Sequence, residues 1–64
     1  MNNTFKINDR LTIGQSNNGM HFAEIRDKNG VYECGCLCKT SQEVQQWINE
    51  QEKFYGKDIS KESN

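Results

Sequence analysis

From Met20 to Glu52 the chain has room for a strand, a tight turn, a second strand and a helix, with almost nothing between them. The turn is Asp27-Lys28-Asn29-Gly30. Asp and Asn bond readily to nearby backbone, and Gly accepts positive φ without steric cost. Asn-Gly between two extended runs is a strong short-range hairpin signal. Two phases are open. A two-residue loop at Asn29-Gly30 sets Ile25 opposite Cys34, Ala23 opposite Cys36 and His21 opposite Cys38. A three-residue loop with Gly30 in a bulge sets Ile25 opposite Glu33 and Ala23 opposite Gly35. A slip of one residue exchanges the two faces of a strand. The alternation from Tyr32 to Lys39 favours the first phase. Tyr32, Cys34, Cys36 and Cys38 share one face; Glu33, Gly35, Leu37 and Lys39 share the other. A free Cys behaves as a small hydrophobe, so the cysteine face is expected inward.

The helix follows at once. Thr40-Ser41-Gln42-Glu43 fits a capping box, with the Thr40 hydroxyl on the Glu43 amide. Val44, Trp47, Ile48, Gln51, Phe54 and Tyr55 recur at helical spacing and form one stripe. Gly56 is the natural stop. Upstream, Thr4–Ile7 alternates and reads as a short strand, and Asn8-Asp9 as a turn. Arg10 to Ser16 alternates again, with Leu11 and Ile13 on one side. Asn17-Asn18-Gly19 fits a three-residue loop closed by Gly19. That register pairs Ile13 with Ala23 and Leu11 with Ile25, both apolar.

These elements predict an α+β fold. It is an antiparallel β-meander of three to four strands, with one C-terminal helix packed across one face. One domain is expected over residues 1–56, with a disordered polar tail over 57–64. The inner face collects Leu11, Ile13, Ala23, Ile25, Tyr32, Cys34 and Cys36. The outer face collects Arg10, Thr12, Phe22, Glu24, Arg26, Glu33, Leu37 and Lys39.

A domain of 64 residues buries only about 60% of its unfolded surface, so a partner or a homodimer would add to a marginal core. The net charge is −1, which supplies no strong field for nucleic acid or anionic membrane. No apolar run approaches a membrane span, and the start Met1-Asn2-Asn3-Thr4 is not that of a signal peptide. Three cysteines are an odd count, which suits reduced thiols in the cytoplasm better than a disulfide framework.

Two chemistries are weighed at the cysteines. His21 with Cys34, Cys36 and Cys38 has the donor types for zinc. However, alternate strand residues stand about 6.6–6.8 Å apart, whereas zinc thiolates converge at about 2.3 Å from the metal. No metal or other cofactor is therefore expected. A Cys–His nucleophile would need an orienting group, an oxyanion site and a walled pocket, and the chain has no evident source for them. An enzyme is not expected. The outer pair Phe22 and Leu37, opposite each other and framed by Glu24 and Arg26, has the apolar centre and charged rim of a protein interface.

From Gly19 to about Glu52 the pattern resembles the arm-type, AP2-like DNA-binding domain of phage and transposon tyrosine integrases. The matching residues are the strands flanking Asp27-Lys28-Asn29-Gly30 and the run Leu37-Cys38-Lys39-Thr40-Ser41-Gln42-Glu43-Val44-Gln45-Gln46-Trp47. The resemblance implies a mobile-element origin and a sheet face that enters the DNA major groove. Arg10, Thr12, Arg26 and Lys39 would then face DNA. Glu24 and Glu33 share that face, and phosphate neutralisation dominates DNA affinity. The first expectation is therefore a non-enzymatic module, a phage or mobile-element accessory protein. It would bind a host or phage protein through Phe22, Leu37, Arg26 and Glu24. Duplex DNA at the same face is the alternative, and a small zinc domain is a further one.

Overall fold

The structure, a computed structural model, describes residues 3–62. Four strands form one antiparallel meander in chain order: β1 Asn3–Lys6, β2 Leu11–Gln15, β3 His21–Arg26 and β4 Tyr32–Cys38. The helix α1, Ser41–Tyr55, then runs back over β3 and β4. Its start is capped as expected, with the Thr40 hydroxyl accepting from the Glu43 amide at 3.2 Å. The reciprocal arm differs in detail. The Glu43 carboxylate accepts from that same hydroxyl at 3.2 Å.

The first hairpin has the register read from its residues. Leu11 pairs with Ile25 and Ile13 with Ala23. Its loop is closed by Gly19 at φ 85°, with the Gly19 amide donating to the Ser16 carbonyl at 3.0 Å. The second hairpin reaches the favoured pairing by another route. Ile25 does face Cys34, Ala23 faces Cys36 and His21 faces Cys38. The turn, however, is not the two-residue loop that would give this phase. No non-glycine residue among those described has positive φ, which excludes a type I′ turn at Asn29-Gly30. Instead the Asp27 amide donates to the Val31 carbonyl at 2.8 Å, and the Gly30 amide to the Asp27 carbonyl at 3.0 Å. That is a three-residue loop, and it pairs Arg26 with Tyr32. An irregularity between Ile25 and Arg26 then takes up Glu33 as an extra residue, a β-bulge that restores the phase.

The bulge moves two side chains from their expected faces. Tyr32 lies on the outer face, 54% exposed, because it pairs with Arg26 rather than with Asp27. Glu33 turns to the helix side, where its carboxylate accepts from the Tyr55 hydroxyl at 2.9 Å.

The core is Leu11, Ala23, Ile25, Val44, Ile48 and Ile59, flanked by Ile7, Ile13, the three cysteines and Trp47. Ile59 corrects the expected tail. Lys57–Ser60 form a 3-10 helix that lays Ile59 on the core at 3% exposure. Gly56, at φ 87°, reverses the chain to allow it. Asn8 fastens this segment. Its side-chain amide donates to the carbonyls of Ile59 and Lys61, each at 2.9 Å, while its oxygen accepts from the Arg10 and Leu11 amides. The packed unit thus extends past residue 56, and residues 63–64 of the expected tail lie outside the described residues. Phe54 also departs from expectation. It is 83% exposed, because it sits at the edge of the helix stripe and the sheet ends at β4.

Candidate functional site

Side chains in register across an antiparallel sheet share a face. One outer row is Thr4, Gly14, Phe22 and Leu37, and the next is Lys6, Thr12, Glu24 and Gly35. The two glycines leave room for aromatic rings. A Cβ on Gly14 would stand 2.6 Å from the Phe22 ring, and one on Gly35 would stand 3.0 Å from the Tyr32 hydroxyl. Each ring therefore lies flat over a glycine, which is how aromatics compensate for glycine within a sheet. Phe22 is half-buried in this way, and Leu37 stands clear at 62% exposure.

Phe22, Tyr32 and Leu37 border a shallow depression of about 430 Å³ floored by Gly35, with Glu24 at its rim. Arg26 is held beside it. One guanidinium nitrogen lies 3.6 Å from the Glu24 carboxylate, and another donates to the Gly30 carbonyl at 3.1 Å. Phe22, Leu37, Glu24 and Arg26 are thus brought to one face, and Tyr32 joins them. The aspartate three residues before Gly30 was the signal for Tyr32. Asp at the first position and Gly at the fourth suit a type I turn, and the Asp27 carboxylate accepts from the Asn29 and Val31 amides.

Three of the four residues assigned to DNA, Arg10, Thr12 and Arg26, line a second depression of about 510 Å³ together with Lys6, Lys28, Asp9 and Asp27, and Lys39 lies apart from it. Thr12 lies in the outer row with Glu24, and Lys39 is exposed just beyond β4. Arg10 leaves the outer face. Its guanidinium lies 3.6 Å from the Glu33 carboxylate and 5.7 Å from the centre of the Tyr55 ring, and it donates to the Arg26 carbonyl. This wrap around the sheet end exists because the bulge sent Glu33 to the helix side. Hydrogen bonding to Glu33, then to Cys34, pushes the Tyr55 hydroxyl up to about 12.

The cysteines line the helix side in a half-buried row. Burial, with Cys38 beside it, pushes the Cys36 thiol up to about 11. A neutral thiol is a poor nucleophile and a poor metal ligand. His21 is the cross-strand neighbour of Cys38. Among the described residues no three His, Cys, Asp or Glu side chains converge to hold a metal ion. Cys38 thus stands beside Cys36, but no third ligand of the zinc alternative joins them among the described residues. No described helix is long and apolar enough to cross a membrane. Comparison with protein families, with curated proteins and with solved structures finds no match.

Proposed function

We propose that this chain is a non-enzymatic interaction module that holds a protein partner against the sheet face away from the helix. One observation carries the reading. Phe22, Tyr32 and Leu37 surround a glycine floor on a face that no element among the described residues covers, with the Glu24–Arg26 pair at the rim. An apolar centre inside a charged margin is the anatomy of a protein interface, and aromatic anchors beside a recess are where binding energy concentrates. Glu24 on this face, and Asp9 and Asp27 among the cations that line the depression beside Arg10, weigh against duplex DNA. If the chain comes from a phage or mobile element, as its resemblance suggests, the partner is a host or phage protein.

The test is capture from the native host by the wild-type chain and by Leu37→Asp, with mass spectrometry and a low-salt DNA mobility assay beside it. Leu37 is exposed, so its replacement leaves the fold intact. A protein retained by wild type and lost with Leu37→Asp supports the reading. Equal capture by both chains, or a DNA shift in place of capture, refutes it.

A further inference from the structure

We propose that the free edge of β4 accepts a basic, extended peptide segment of a partner as a fifth strand. This goes beyond the face described above, because it uses the sheet edge and one flank of the helix.

The backbone supplies the docking groups. The Arg26 amide donates to the Arg10 carbonyl, so Phe22, Glu24 and Arg26 turn their amides to β2. By alternation His21, Ala23 and Ile25 bond to β4, and their partners Cys34, Cys36 and Cys38 face β3. The amides and carbonyls of Gly35 and Leu37 therefore point away from the sheet. The Glu33 bulge interrupts one end of this edge, as bulges on edge strands do. From Cys34 to Cys38 the strand continues regularly, with neither Lys nor Pro to block pairing.

The helix supplies the second wall. Ser41, Val44, Gln45 and Ile48 line a groove against Phe5 and Ile13, on the β1 and β2 side. The opposite flank, at 100° per residue, is Glu43, Trp47, Glu50 and Phe54. Because the helix packs on β3 and β4 and turns its other flank to β1 and β2, this flank is on the β4 side. Phe54 is 83% exposed there, and Glu43 and Glu50 are exposed with it. Anions and aromatic rings thus alternate along the channel above the free edge. A strand laid in it places every second side chain beneath the helix, about 6.7 Å apart. Alternating cationic and apolar side chains match that wall. A second copy of this chain would instead bring Glu43 and Glu50 towards their own counterparts. Main-chain pairing would give the affinity, and the charged flank the choice of partner.

The probe is an eight-residue peptide, Lys-Thr-Val-Thr-Lys-Thr-Val-Thr, whose lysines and valines alternate along one face of a strand, titrated into the full chain. Expected is saturable binding that slows hydrogen exchange at the Gly35 and Leu37 amides and shifts Trp47 emission. Methylating every second peptide nitrogen should weaken it tenfold or more while the protein is left untouched. Glu50→Lys should weaken it several-fold. The proposal is overturned if the methylated peptide binds equally, if nothing saturates, or if the shifts fall only around Phe22 and Tyr32. It is also overturned if the chain alone sediments as a dimer with Gly35 and Leu37 protected, since the edge would then belong to a second copy.

Discussion

The two hairpins use the same turn and arrive at different strands. Ser16 to Met20 and Asp27 to Val31 each close a three-residue loop on a glycine near φ 85°. After the first loop the pairing proceeds without interruption from Gln15–His21 to Leu11–Ile25. After the second, Glu33 is set aside before Ile25 meets Cys34. Without that bulge Ile25 would oppose Glu33, and the cysteines would face outward. A turn, then, proposes a register, and the buried face disposes of it. Where the two agree the ladder is regular. Where they disagree by one residue, a bulge reconciles them.

The largest effect that would break this comparison comes from the regular hairpin. An alanine inserted between Ile13 and Gly14 moves Leu11 and Ile13 to the wrong face. Two side chains at about 1.5–3 kcal/mol each remove a large share of the roughly 5–15 kcal/mol stability of a domain, so the urea midpoint should fall steeply; a small shift would mean that a bulge absorbs the insertion here as well. In the second hairpin the same one-residue change should be mild. Deleting Glu33 removes the bulge and keeps Ile25 beside Cys34, losing only the solvent-exposed contacts of Glu33 with Tyr55 and Arg10, so the urea midpoint should move little. Nuclear Overhauser contacts between Ile25 and Cys34 would check it, and their disappearance would show that the bulge does more than adjust phase.

The glycines should behave alike. Neither Gly19 nor Gly30 has anything within 4 Å of an added Cβ, so Gly19→Ala and Gly30→Ala should each cost about 1–2 kcal/mol from backbone conformation alone. Unequal midpoints in denaturant would mean that the two loops differ in more than the strands they lead into. The smallest effect is alkaline and belongs to the bulged side. Tyr55 is raised to about 12 in the folded chain, and Cys36 to about 11. A raised pKa gives stability that is whole below the unfolded value and is lost as pH climbs through the folded one. The contribution of Cys36 should therefore fade between about pH 9 and 11 and that of Tyr55 between about pH 10 and 12. Melting temperature against pH, compared with Tyr55→Phe, would separate them.

The same contrast explains what was legible in the residues. Leu11 and Ile13 matched Ile25 and Ala23 from two sides, so the first hairpin could be read whole. In the second, the alternation of cysteines carried the phase, while Asn29-Gly30 suggested a shorter turn. The two-residue turn and the regular strand would have cancelled to the same pairing, so Tyr32 and Glu33 alone were misplaced. Phe22 and Leu37 were readable as an outward pair because pairing depends only on phase. Tyr32, and with it the recess over Gly35, depended on the bulge. Arg10 was assigned by alternation, which does not register a carboxylate brought to the far side. Ile59 stands alone in a polar segment, with no period to announce it. Phe54 shares the helical spacing but stands at the margin of the stripe set by Val44 and Ile48, and is exposed.

The Asn8 amide joins positions 51 residues apart in the chain. A polypeptide made from its amino terminus holds all four strands and the helix before Ile59 exists, while the core cluster is still one member short. Closing so long a span has an entropic cost, and the Ser60 hydroxyl, which donates to the Glu52 carboxylate eight residues back, helps to hold the segment against the helix. The core is therefore sealed only once the turn after the helix has been made, and a ribosome-bound chain halted after Gly56 would present an open hydrophobic seam to whatever waits at the exit.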